Sequence, residues 1–222
     1  MPFDILSEGF LIHLVQTSNY FVAAFKMQKK ELGGRIMNVN NNTKKMVTIA
    51  MLMAVSVVLV AFIHFPIMPA APFLEYDPAD IPIFIGTFLF GPAAGFIITV
   101  ITSLIQGFTV SAQSGIYGIL MHIFATGSFV IVAGNIYKRN MNKKGAILSL
   151  VAGVITMTVA MLLFNTLITP IFMGVPRSAV ISMLIPVFLP FNLIKAGANA
   201  IVTYLIYKPL RVHIFKFVDH SK

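Results

Sequence analysis

The chain has 222 residues, 58% hydrophobic and 10% charged, where a typical soluble domain is about 45–50% apolar and about 25% charged. That balance excludes a soluble fold of this size, and the absence of cysteine excludes disulfides and thiolate metal sites. The net charge of +9 does not point to nucleic acid, because the basic residues cluster at the ends of apolar runs, as they do beside membrane spans.

Residues 1–43 stand apart. Phe3–Phe25 is moderately apolar but interrupted by Asp4, Glu8, His13, Gln16 and Asn19, and its basic cluster (Lys26, Lys29, Lys30) comes last. A secretory signal carries its charge first; an interfacial amphipathic helix is one alternative. The preferred expectation is that translation starts at Met37. Gly33-Gly34 can be encoded by the core of a bacterial ribosome-binding site, two codons upstream of that methionine. Residues 1–43 then read as cytoplasmic sequence or translated leader, 44–216 as one membrane domain and 217–222 as a cytoplasmic tail.

Met46–Phe65 has no Asp, Glu, Lys or Arg, and about 20 such residues suffice for a transmembrane helix. Pro66–Pro82 is proline-rich and holds Glu75, Asp77 and Asp80, the three acids between Lys45 and Lys138. It reads as a loop outside the hydrocarbon. Ile81–Tyr137 then runs 57 residues without Asp, Glu, Lys or Arg. Gly91-Pro92 and the polar patch Gln106–Ser114 should break it into about three segments, the first short. Ala146–Val175 is a further span closing near Pro170, and Ser178–Tyr207 is the last, interrupted by Pro186, Pro190 and Lys195.

Lys44 and Lys45, then Lys138, Arg139, Lys143 and Lys144, then Lys208, Arg211 and Lys216 mark the cytoplasmic side. The chain leaves that side at the first span and is back by Lys138, which requires an odd number of crossings in between. Three is the natural count. The expected architecture is an all-α, six-transmembrane-helix bundle with both termini cytoplasmic. The alternative is one re-entrant segment plus one crossing.

No P-loop, His-Glu-x-x-His or Gly-x-Ser-x-Gly pattern is present, so the common signatures of nucleotide, zinc-protease and serine-hydrolase chemistry are missing. The five histidines lack metal-ligand spacing. His122, mid-span, is either a ligand or proton carrier or, more commonly, a hydrogen-bond partner of a neighbouring helix. Lys195 is the sharpest single residue, because an ionisable group inside a span is costly and marks a functional site. Asn192, Lys195 and Asn199 fall at i, i+3 and i+7, on one helix face, and Asn165 in the preceding span can face them. Asn199 alone reads as an interhelical hydrogen bond. Asn165, Asn192 and Lys195 together read as a ligand site that offers donors and amide acceptors but no carboxylate, suited to a neutral, carbonyl-rich ligand. Ala50 and Ala54 form a small-xxx-small pattern that lets another helix approach closely, and Gly86 and Gly95 can serve likewise. Met46, Met51 and Met53 read as lipid-facing or core residues.

The stretch Pro72–Pro82 (PFLEYDPADIP), the turn Phe90-Gly91-Pro92 and the run Pro190–Lys195 (PFNLIK) resemble the riboflavin-specific branch of the S components of energy-coupling factor (ECF) transporters. The likeness spans about Lys44 to Lys216. It departs at Ala79, where a serine is expected. The resemblance implies a six-helix bundle in a bacterial cell membrane that carries riboflavin as transported ligand and no cofactor. It implies that Asn165, Asn192 and Lys195 hydrogen-bond the polar edge of the isoalloxazine ring, and that the outer loop around Leu74, Glu75 and Tyr76 closes over it. It also implies docking of Ala50 and Ala54 on a transmembrane coupling subunit served by two ATP-binding subunits. Competing readings are an S component for another vitamin or neutral metabolite, a self-sufficient secondary transporter, and an intramembrane enzyme. The last two lack, respectively, an evident inverted repeat and a catalytic constellation.

Overall fold

The computed structural model describes residues 41–219 except residue 70; the leader expected over residues 1–36 and the start at Met37 lie outside the described residues. The described chain is helical almost throughout. Helix α1 (Asn41–Phe62) is followed by a loop containing β1 (Phe65–Pro66) and β2 (Glu75–Tyr76). Then come α2 (Asp80–Phe90), α3 (Pro92–Phe108), α4 (Gly115–Arg139), α5 (Lys143–Met173), the short α6 (Arg177–Met183) and α7 (Leu189–Asp219).

Both breaks expected between Ile81 and Tyr137 are present. Gly91 has φ 91°, a conformation other residues adopt at a cost, and Pro92 starts α3 where its missing N–H loses nothing. At the second break α3 ends at Phe108 and α4 starts at Gly115, with one short 3-10 turn, Ala112–Ser114, between them. The outer loop is less irregular than its prolines imply: Phe65 pairs with Tyr76 and Pro66 with Glu75 in a two-residue antiparallel ribbon. The loop also ends at Ala79 rather than Pro82, because a proline in the first turn of a helix blocks no hydrogen bond.

The last span is broken as its prolines require. Pro190 has no N–H for the carbonyl one turn earlier, and Leu184–Phe188 widens into a π-type turn before α7 resumes. Past Tyr207 the helix does not stop but continues through Pro209 to Asp219, taking in part of the segment expected to be a tail. Helix α5 is held at its start by Asn142, whose side chain accepts from Gly145 N at 2.7 Å, and is closed by Gly174 at φ 65°. It ends three residues past Pro170.

Among the described residues, four helices are long and apolar enough to cross a membrane: Asn42–Phe62, Ala112–Arg139, Lys143–Met173 and Arg177–Tyr207. Helix α5 exposes a stripe at every fourth residue, Val151, Ile155, Val159, Leu163, Leu167 and Ile171. Water would oppose so long an apolar stripe, while lipid solvates it. The protein is therefore a multi-pass membrane protein. Helix α2 is different: nine of its 11 residues are buried, so it is a core element wrapped by its neighbours.

The main core joins Phe84 and Phe88 of α2, Ile98 of α3, Phe129 and Val130 of α4, Leu150 and Met157 of α5, and Ala196 and Ala200 of α7. Phe84 and Phe129 stack with centroids 3.6 Å apart. Close approach of α2, α3 and α4 depends on Gly95, where a Cβ would collide with the Thr87 side chain and Val130. At one end of the bundle Lys45 lies over the Phe90 ring, and the hydroxyls of Tyr137 and Tyr207 meet at 2.9 Å. The basic ends of α1, α4 and the apolar part of α7 thus share that end. A second cluster, Ala71, Leu74, Val180, Val187, Phe188 and Phe191, packs the outer loop against α6 and the start of α7. Glu75, Asp77 and Asp80 belong to that opposite end.

Candidate binding site

The site forms where the outer loop meets α7. Lys195 Nζ lies 2.6 Å from Asp77 Oδ2 and 3.4 Å from the Glu75 carbonyl oxygen. One turn along, Asn199 Nδ2 donates to the Asp77 carbonyl at 3.1 Å and to Asp80 Oδ2 at 3.3 Å, while Asn199 Oδ1 accepts from the Tyr76 hydroxyl at 3.0 Å. Burial first, and then the Asp77 carboxylate, raises the Tyr76 phenol above its ordinary 10.0, so it remains a donor at neutral pH. Two residues of one helix face therefore clamp three consecutive loop residues.

Asp80 anchors the other side. Its Oδ1 accepts from Thr126 at 2.7 Å and lies 3.1 Å from His122 Nε2, and His122 Nδ1 meets Ser103 Oγ at 2.8 Å. Asp80 is fully buried, and these partners are what makes a buried carboxylate tolerable. His122 thus ties α2 to α3 and α4, the commoner of the two roles open to it. Ala79 occupies the N-cap of α2 with no side-chain cap. The Ala79 backbone is held instead by Asp77 Oδ1, which accepts from Ala79 N at 3.0 Å, and by Ser56 Oγ, which donates to the Ala79 carbonyl at 2.5 Å.

Beneath the loop is a cavity of about 240 Å³. Asn165, Asn192, Lys195, Leu74 and Glu75 all line it. Asn165 Nδ2 donates to the Met161 carbonyl, and its Oδ1 accepts from Thr169, both at 2.7 Å. Asn192 Nδ2 donates to the Phe188 carbonyl at 2.7 Å, in the widened turn, which leaves its oxygen and second N–H available to a ligand. The remaining wall is largely apolar and aromatic, with Met157, Met161, Ile168, Phe172 and Phe191. Tyr76 is not part of that wall; it stands behind the loop against Phe65 and Asn199. Ala50 and Ala54 are far from this chemistry in role: they lie on the exposed face of α1, opposite the buried Leu52, Ser56 and Val60.

The expectation of a site without a carboxylate is corrected here, because Asp77 and Asp80 line the same cavity and Asp77 holds Lys195. These acids are 118 and 119 residues from their α7 partners, so no local pattern announces the pairing. Gln106, which the sequence presents only as part of a helix break, is buried against the cavity.

A lipid-facing helical bundle that holds a polar-spotted cavity beneath its outer loop has the build of a membrane-embedded binding protein. The model of the family described as ECF transporter, substrate-specific component, matches residues 44–207. This chain belongs to that family and is a transport component. It is 32% identical over 184 residues to the riboflavin transporter RibU of Staphylococcus aureus, covering 80% of this chain and 95% of that protein. It is 28% identical over 176 residues to the riboflavin transporter FmnP of Bacillus subtilis, covering 76% and 92%. Among solved structures, the S component of a bacterial ECF transporter superposes with a TM-score of 0.69 at 32% identity, covering 78% of this chain and 99% of that one. The S component for biotin from an ECF-type ABC transporter gives 0.52 at 17% identity over 78% and 95%, which reflects the shared fold.

Proposed function

We propose that this chain captures riboflavin at the outer face of the cell membrane and delivers it through a complex with a transmembrane coupling subunit and two ATP-binding subunits. The observation that carries the reading is the convergence of Asn165, Asn192 and Lys195 on one cavity beneath the loop that bears Leu74, Glu75 and Tyr76. The names of the relatives in Staphylococcus aureus and Bacillus subtilis point the same way. Riboflavin's ring carbonyls and nitrogens would satisfy amide and ammonium groups that are costly to leave unpaired in a dry bundle. The flat ring would lie against Phe172, Phe191 and the methionines. The cavity is somewhat below the roughly 300–1,000 Å³ of ordinary ligand pockets.

The topology that fits this role has six crossings with both termini inside. Its support is the gathering of the basic helix ends at one end of the bundle and of the acidic loop at the other. Helices α2 and α3, with 11 and 17 residues, are the short members. The membrane domain is taken as 44–216, and the exposed alanine face of α1 is its docking surface for the coupling subunit. Cells that make this chain with its partner subunits should accumulate labelled riboflavin, and cells that lack the ATP-binding subunits should not. Uptake that persists without them would replace this reading with a self-sufficient secondary transporter.

A further inference from the structure

Gln106 sits in the last turn of α3, and its backbone carbonyl accepts from Thr109 N at 3.2 Å and Ser111 N at 2.8 Å. The residue is only 7% exposed, it lines the cavity, and its Nε2 has no hydrogen-bond partner. Thr102 and Thr158 are the other described residues with a buried polar side-chain atom left unpaired, and neither lines the cavity. Two polar neighbours on the cavity wall are already spent: Ser103 and His122 on each other, and His122 also on Asp80. A buried donor without a partner is destabilising, and folded proteins rarely retain one without a use for it. The final torsion of a glutamine side chain is broad, so the amide turns easily to present its donor or its acceptor.

We propose that Gln106 is a ligand-contact residue that holds the hydroxylated side chain of the bound flavin, apart from the ring edge read by Asn165, Asn192 and Lys195. The inference rests on the riboflavin reading of the site. It follows from placement: the ring-reading residues come from α5 and α7, whereas Gln106 comes from α3 and is accompanied on the wall by Ser111, Ser114 and Tyr117. A primary amide both donates and accepts, which matches a polyol, whose every hydroxyl does both.

The test compares riboflavin with lumiflavin, which keeps the ring and lacks the polyol, by quenching of flavin fluorescence on the purified full chain. Gln106→Leu should weaken riboflavin at least tenfold and change lumiflavin by less than twofold. The melting temperature of the ligand-free protein should rise, because the variant removes an unpaired donor. Gln106→Met, closer in shape, should reproduce all three results and covers the case in which the leucine variant does not fold. Unchanged riboflavin affinity, or equal losses for both ligands, overturns the inference. Lys195→Ala serves as the control: if it weakens both ligands while Gln106→Leu is silent, the site reading stands and this inference alone fails. If neither variant affects riboflavin, both fail.

Discussion

Replacing Lys195 with methionine tests the site through its most costly residue. The Lys195 side chain is 17% exposed and is paired with an Asp77 side chain that is 18% exposed. A hydrogen bond from a charged group contributes about 1.5–3 kcal/mol, so loss of the ring contact should weaken riboflavin by roughly 10- to 150-fold. The same change strands the Asp77 carboxylate in a mostly buried setting, and it removes one of the two clamps on the loop. Stranding a buried partner can cost more than the pair contributes. Asp77→Asn added to Lys195→Met should therefore restore part of the ligand-free protein's thermal stability without restoring affinity. Flavin-fluorescence titration gives the first quantity and thermal unfolding in detergent the second. Riboflavin affinity within twofold of the parent in Lys195→Met would refute the assignment. Additive effects of the two substitutions on stability would refute the clamp.

Ala50→Leu with Ala54→Leu should leave riboflavin affinity within about twofold and abolish uptake, since both residues lie on the exposed face of α1; normal uptake removes the docking role. The phosphorylated flavin FMN should bind at least tenfold more weakly than riboflavin in competition titrations. Among the carboxylates and lysine of the cavity wall, Glu75, Asp77 and Asp80 outnumber Lys195 by two charges, and unit charges about 8 Å apart interact by about 2 kcal/mol at an effective dielectric of about 20. Tyr76→Phe should cost about 1 kcal/mol of loop anchoring, read as faster proteolysis of the loop between residues 63 and 79. Because the Tyr76 phenol is raised above 10.0 on folding, its contribution is complete below pH 10 and is lost as pH rises through the higher folded value; loop anchoring that weakens between pH 7 and 9 would contradict this.

Much of the fold was legible because apolar runs and their breakers act locally. Gly91-Pro92 and the patch from Gln106 to Ser114 divide the central run where the structure divides it. Lys195 was legible for a related reason: a charge in a span is conspicuous on energetic grounds alone. Its partner was not, because Asp77 reaches it only when the loop folds back across more than a hundred residues. The same holds for Asn199. Its spacing placed it beside Lys195, but only the loop's return shows that it grips Tyr76 and Asp77 rather than facing the cavity. The extension of α7 past Tyr207 leaves no mark in hydropathy, which reports where a helix leaves lipid, and helices continue beyond that boundary.

The most direct test is to purify the chain in mild detergent and identify what travels with it by absorbance and mass spectrometry. The account predicts a yellow protein that releases riboflavin on denaturation and, once stripped, rebinds one equivalent. A colourless protein that fails to bind added riboflavin, or one that releases a different vitamin, would contradict it.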